Sequence, residues 1–271
     1  MKYFFSLVAI ALLSACGGDK TGDTHSPAKD STPATVKTNP NTVILQTDSG
    51  QLEIETVNGK KQGHAWLRKD GKLIAEGSYD NDVPAGAWVN YGENGRVIKA
   101  FHMSEGKKLF DLDSADFNFA KFQSRDFGAG FLVPEKWQSI KSPNPALLVS
   151  FTKKVPDTVK VAPNMNVARG KLKPGENLQK LADLQLKMLH DAAGHVDVVQ
   201  ENLFTVDSCQ SFQRYGMYDM EDSRVGFLDA IIIHGDDVWF FSCEAQNKNQ
   251  GEFLRYQGVF EKIVESFHRV N

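Results

Sequence analysis

Three cysteines in 271 residues are too few for a disulfide-built scaffold. No apolar run reaches the roughly 20 residues that a membrane-spanning helix needs. Charge of one sign is also missing. With 31 basic against 34 acidic side chains, a net charge of -3 and no long basic stretch, the chain lacks the electrostatic footprint of a nucleic-acid binder. Nor is there a Gly-rich phosphate loop, a nucleophile elbow, a zinc-binding HExxH or a paired CxxC, and each absence lowers one class of enzyme or cofactor protein. What the chain does have is 41% apolar and 10% aromatic residues, enough to close a real core, so a mostly disordered protein is excluded.

The first residues read as an address. Lys2 gives a minimal positive start, and Phe4 to Leu13 is a mostly apolar stretch of ten, which fits a signal peptide. It ends in Leu13-Ser14-Ala15-Cys16, which resembles the lipobox of bacterial lipoproteins. That resemblance implies cleavage after residue 15 and acylation of the Cys16 thiol, so that buried acyl chains hold the protein to a membrane. Gly17 in place of an aspartate implies, by the enterobacterial sorting rule, the outer membrane with the protein facing the periplasm. Residues 16–41 hold no aromatic side chain and are mostly Gly, Ser, Thr, Pro, Asp and Lys, a composition that cannot offset its ordering entropy, so a disordered tether is expected.

Residues 42–110 carry an internal repeat. Gly50-Gln51-Leu52, Gly71-Lys72-Leu73 and Gly95-Arg96-Val97 are spaced by 21 and 24 residues, and each start is preceded within two positions by an acidic or amide residue: Asp48-Ser49-Gly50, Asp70-Gly71 and Asn94-Gly95. Second turns fall at Asn58-Gly59, Asp80-Asn81-Asp82 and Glu105-Gly106, so a row of short antiparallel hairpins is expected. The segment Gly86-Ala-Trp88-Val-Asn-Tyr91-Gly-Glu-Asn-Gly95 resembles the MORN-type repeat of the YwqK family, with a degenerate copy at Gly63 to Gly71. Members of that family are commonly labelled antitoxin components. Aromatics at repeat spacing ordinarily pack the ladder of such a unit. The alternative is that Trp66, Trp88 and Tyr91 form a binding surface, and they are the candidate site residues.

Asp111-Leu-Asp113-Ser-Ala-Asp116 lacks the glycine and distal glutamate of a calcium loop, so residues 111–116 are expected to be a solvated connector. In residues 117–271, apolar β-rich runs at Gly130 to Val133, Ala146 to Phe151 and Met165 to Val167 precede a helix opened by Pro174-Gly-Glu-Asn177 and stopped by Gly194. Further strands are expected at 196–206, 211–218, 225–233 and 238–244, and a closing helix with an Asn249-x-x-Glu252 cap. Helices against a mainly antiparallel sheet make the expected class α+β, a sandwich behind an all-β repeat unit. Gly130-Phe-Leu-Val-Pro134-Glu-Lys-Trp137, Val238-Trp-Phe-Phe-Ser-Cys243 and Ile263-Val-Glu-Ser266-Phe267 together resemble the PsbP-like superfamily, including DcrB-type lipoproteins. The resemblance implies an accessory protein and brings no catalytic residues with it.

The residual candidates for chemistry are weak. His190 and His195 lie about 140° apart around a helix of 3.6 residues per turn, so they do not share a metal. Glu221, Asp222, His234, Asp236 and Asp237 sit where hairpins need polar groups anyway. No metal, cofactor or catalytic residue is therefore expected. Cys209 and Cys243 are a possible disulfide, because the compartment favours pairing. Register argues against it: turns at Gly235-Asp236 and near Asp222-Ser223 set Cys243 opposite Leu228 and Leu228 opposite Met217, with Cys209 on the order of 25 Å away at about 3.3 Å per residue. Cys243, between aromatic neighbours, is expected to be a buried thiol. The function expected is a membrane-anchored, non-catalytic interaction module with an envelope protein partner. An immunity protein that neutralises a periplasmic toxin, and an enzyme of unknown class, are the alternatives.

Overall fold

A computed structural model describes residues 35–36, 41–220, 223–248 and 251–270. Cys16, Glu221, Asp222 and Asn249 lie outside the described residues. After β1 (Thr35–Val36), seven strands run as an up-and-down meander in chain order: β2 (Asn41–Thr47), β3 (Gly50–Val57), β4 (Lys60–Lys69), β5 (Lys72–Asp80), β6 (Val83–Tyr91), β7 (Val97–Ser104) and β8 (Lys107–Leu112). The turn residues dictate it. Asn58-Gly59, Asp70-Gly71, Asn81-Asp82 and Glu105-Gly106 all have both φ values positive, between 49° and 78°. Such pairs build the two-residue turns whose twist matches that of the flanking strands. The hairpin row expected for this segment is what forms.

The second unit adds β9 (Phe119–Ser124), β10 (Ala129–Pro134), β11 (Gln138–Ile140), β12 (Leu148–Thr152), β13 (Asn164–Lys171), α1 (Leu178–Ala193), β14 (Val196–Val206), β15 (Cys209–Met220), β16 (Ser223–His234), β17 (Asp237–Gln246), α2 (Leu254–Glu265) and β18 (His268–Arg269). Eight strands form one sheet in the order β1-β14-β15-β16-β17-β13-β12-β11, and β18-β10-β9 form a small one. The architecture is thus mostly antiparallel sheet with two helices. Asn177 caps α1 by accepting from Lys180 N at 3.0 Å, and Gly194, with φ of 79°, stops it. Leu181, Ala182 and Leu189 of α1 cover one face of the large sheet with Phe212, Phe227 and Ile231. Val259, Phe260, Ile263 and Val264 of α2 cover the other with Leu228, Ala230 and Phe241.

Of residues 16–41 only Thr35–Val36 and Asn41 are described; Thr35 and Val36 pair parallel with Asn202 and Leu203 at the edge of β14, and the rest of the expected tether lies outside the described residues. Three expectations need correction. The cap of α2 is not an Asn249 box. Phe253 stands at the N-cap without a side-chain bond, and Asn247 Oδ1 accepts from Gly251 N at 3.0 Å and Phe253 N at 3.2 Å instead.

The connector is only partly solvated, with Asp111 and Asp113 exposed but Leu112 and Asp116 buried. β8 runs through its first two residues, Ser114–Phe117 form a 3-10 turn, and Asp116 is buried, accepting from Lys153 Nζ at 2.5 Å and from Trp137 Nε1 at 3.4 Å. Burial pushes the Asp116 carboxyl up, and the bond from Lys153 opposes the shift. Lys153 also reaches Asp113 at 3.0 Å, so the acidic run is fastened to the second unit.

The third correction concerns the register between β15 and β16, not the buried Cys243 thiol. Cys243 stands opposite Leu228 as expected, but Met220 pairs with Ser223, which sets Leu228 opposite Tyr215. Cys209 is six residues further along β15, on the order of 20 Å away at about 3.3 Å per residue, whereas bridged Cα atoms lie within about 7 Å. Both thiols are free and buried. Burial pushes the Cys243 thiol far up, as it does that of Cys209 to a lesser degree.

Candidate functional site

Alternation along the strands divides the three candidate aromatics between the two faces of the meander. Trp66 and Tyr91 lie on the face turned toward α2, with His64, Glu76, Ala87 and Val89. Trp88, between Ala87 and Val89, points the other way. Its ring lies over Gly77, where an added Cβ would come within 2.1 Å of it, and meets Tyr79 edge-on at 5.7 Å between centroids. Trp88 therefore sits half-buried on the outer face of the meander, apart from Trp66 and Tyr91, so the three candidate residues do not share one face.

Trp66 and Tyr91 line a cleft at the seam between the meander and α2. Its floor is set by Gly258, which lets the helix settle on the strand: a Cβ there would lie 2.4 Å from the Cβ of Ala87. Around that contact the apolar core runs without a break from Val89, Val97, Ala100 and Leu112 of the meander to Phe117, Trp137 and Phe260 of the second unit. The two sequence units are one body in packing terms.

Polar groups from both sides close the rim. Tyr91 Oη donates to Glu76 Oε1 at 2.7 Å, and Lys262 Nζ of α2 donates to the same oxygen at 3.0 Å. His64 Nε2 lies 3.2 Å from Glu265 Oε1, and the His64 backbone N–H donates to Glu55 at 2.7 Å. The bond to Glu265 raises the His64 pKa, against the opposing effect of its burial. Tyr91 moves far upward through burial and the Glu76 charge beside it, so it stays a proton donor. The cleft, open on one side, offers a space of about 60 Å³. That holds a few waters or the tip of one side chain, against the roughly 300–1,000 Å³ of pockets that take drug-sized ligands. Ser78 stands opposite His64 in register, yet no hydrogen bond joins them, so a nucleophile–base contact is not formed among the described residues.

A second constellation escaped sequence reasoning. Glu201, Arg214, Asp229, Ser242, Asn166 and Ser150 stand opposite one another in a single row across β14, β15, β16, β17, β13 and β12. Arg214 is 1% exposed, donates through Nε to Glu201 at 2.7 Å, and reaches the Ala182 carbonyl of α1 at 3.1 Å. Burial pushes the Asp229 carboxyl up to about 7, the Arg214 charge opposing and Glu244 reinforcing the shift. Tyr218 donates to Glu244 at 3.1 Å across the two rows that follow on the same face. The row fastens α1 to the sheet. Its signal in the sequence was a lone carboxylate, Asp229, inside the apolar run Val225 to Ile233.

The remaining candidates are dispersed. His190 Nδ1 contacts the Gly194 carbonyl at 3.2 Å, whereas His195 Nε2 lies 2.8 Å from Asp197, so the two belong to different contacts. His234 lies against Arg269, the Asp236 carbonyl accepts from Leu172 N, and Asp237 pairs with Arg169 and Lys171. Among the described residues, no group of three His, Cys, Asp or Glu could hold a metal ion.

No protein-family model and no curated protein matches this chain. Among solved structures it is similar to cyanobacterial PsbP from Synechocystis, at 13% identity and a TM-score of 0.45, over 56% of this chain and 93% of that one. It is similar to the Ran-binding protein Mog1p of Saccharomyces cerevisiae, at 14% and 0.44, over 57% of this chain and 96% of the other. LpqN of Mycobacterium tuberculosis, described as involved in cell envelope biogenesis, follows at 12% and 0.39, over 56% and 86%.

Proposed function

We propose that this protein is a lipoprotein of the bacterial cell envelope that works by binding, as an accessory module to an envelope protein partner. Cys16 carries the acyl chains, residues 16–41 connect them to the folded body, and the body faces the periplasm from the outer membrane. Among the described residues no helix is long and apolar enough to cross a membrane. The observation that carries the binding role is the seam cleft, whose Trp66 and Tyr91 walls and charged rim are contributed jointly by the meander and α2. Its polar groups answer one another, Tyr91 and Lys262 on Glu76 and His64 on Glu265, so they hold a fixed shape. An aromatic wall beside a recess for one side chain is how hot spots of protein interfaces are built.

Two substitutions test the reading. Cys16→Ala is expected to move the protein from the membrane fraction to the soluble periplasmic fraction, and unchanged fractionation would refute the anchor. Trp66→Ala, with the circular dichroism of the wild type, is expected to lose the partner recovered by crosslinking in intact cells. Recovery at the wild-type level would show that the cleft is not the binding surface.

A further inference from the structure

Strand β2 is the anomalous edge of this molecule. Sheet edges offer unpaired N–H and C=O groups, and folded proteins protect them with charge, brevity or a cover. The other edges among the described residues follow that rule: β1 and β18 have two residues and β11 three, β9 carries Lys121, and β8 carries Lys107, Lys108 and Asp111. β2, Asn-Thr-Val-Ile-Leu-Gln-Thr, is seven residues long and uncharged, and it is exposed along its whole length. Val43, Ile44 and Leu45 at its centre are 41%, 56% and 38% exposed. Among the described residues nothing pairs with its outer side.

The geometry points to a second copy of this chain as the occupant, in an antiparallel β2–β2 pairing about a two-fold axis at Ile44. Only two residues separate Thr47 from Gly50, so that pair exchanges main-chain bonds, and alternation assigns Leu45, Val43 and Asn41 inward to β3. Thr42, Ile44 and Gln46 therefore present their N–H and C=O groups outward, symmetrically about Ile44. In the centred register Ile44 exchanges both bonds with the second copy's Ile44, and Thr42 does so with the second copy's Gln46.

The side chains match in the same register. The strand reads polar, polar, apolar, apolar, apolar, polar, polar from Asn41 to Thr47, so reversing it sets Val43 opposite Leu45 and polar residues opposite polar ones. No charge meets a like charge across the axis, and the nearest acids, Glu53 and Glu55, lie one strand back on β3, with Glu53 paired to Arg68 at 3.3 Å. Self-complementarity of one patch is what an isologous dimer requires. This surface is separate from the seam cleft, so either can fail without the other.

The test is the mass and crosslinking of the full chain, carrying Cys16→Ala so that no other accessible thiol competes. Light scattering after size exclusion is expected to give twice the chain mass, and Ile44→Lys, which sets two ammonium groups on the axis, to halve it with the circular dichroism of the wild type retained. Ile44→Cys is expected to yield a disulfide-linked dimer without reductant, and Leu109→Cys on the opposite edge to yield none. If Ile44→Lys fails to fold, the two cysteine variants decide alone. A monomeric wild type, a dimer that survives Ile44→Lys, equal crosslinking at both edges, or capture of a different protein at position 44 would overturn the inference.

Discussion

Replacing Gly258 by alanine sets two well-measured effects against each other at the contact that joins the two units. In an exposed helix the change would stabilise by about 1 kcal/mol, because alanine restricts the unfolded chain and suits the helix better. Here the new Cβ would lie 2.4 Å from the Cβ of Ala87, more than 1 Å inside the roughly 3.5–4.0 Å at which carbons pack. Neither atom sits on a flexible side chain, so α2 has to back away from β6, stretching Lys262–Glu76 and His64–Glu265 at the rim. Overpacking of this kind costs about 1–3 kcal/mol, so Gly258→Ala is expected to be destabilising by up to about 2 kcal/mol net. Ala87→Gly alone is expected to cost about 0.5–1 kcal/mol as a glycine in a strand. The double variant removes the clash and keeps the helix gain, so it is expected near wild-type stability, with a coupling of about 1–3 kcal/mol. Urea unfolding followed by circular dichroism and by tryptophan fluorescence reads both quantities, since Trp66 and Trp88 report the meander and Trp137 and Trp239 the second unit. Coincident transitions are expected from a shared core. Additivity within about 0.5 kcal/mol, or separate transitions in the wild type, would refute the packing at the seam.

Other consequences follow from the buried groups. The Asp229 pKa rises in the fold from 3.8 to about 7, so the folded state holds its proton longer and stability falls as pH rises between those values, by up to about 4 kcal/mol at roughly 1.36 kcal/mol per pH unit. Subtracting the stability–pH curve of Asp229→Asn from that of the wild type is expected to isolate that fall, and a flat difference would contradict the burial argument. Arg214→Met leaves Glu201 and Asp229 without their cation and is expected to cost about 3–5 kcal/mol in the same unfolding assay. Intact-mass measurement without reductant is expected to show Cys209 and Cys243 unmodified by an alkylating agent in the folded protein and both modified once it is unfolded.

The parts of the fold legible in the sequence were those set by local chemistry. Asn58-Gly59, Asp70-Gly71 and Glu105-Gly106 announce their turns because few residues accept positive φ at neighbouring positions. Asn177 and Gly194 bracket α1 because helix ends leave backbone groups that need partners. Contacts distant in sequence were not legible. Nothing in residues 111–116 shows that Lys153 and Trp137 will cover Asp116, since that depends on how a strand 37 residues away is placed. The face of each aromatic was hidden for the same reason. Trp66 and Trp88 occupy similar places in their repeats, yet the register shifts within the β4–β5 and β5–β6 pairings, so repeat position alone does not assign a side. Cys243 stands opposite Leu228 as the turn at Gly235-Asp236 implied, and a two-residue error in the other turn still left the thiols too far apart to bridge.

The most direct test of the binding role is site-specific photo-crosslinking in intact cells, with the reactive side chain placed at Ser78 on the cleft and, as a comparison, at Leu184 on the exposed side of α1. A discrete protein adduct from position 78 that Trp66→Ala abolishes, with none from position 184, is the predicted result. The same adducts from both positions, or none from position 78 in protein that remains membrane-bound, would contradict the account.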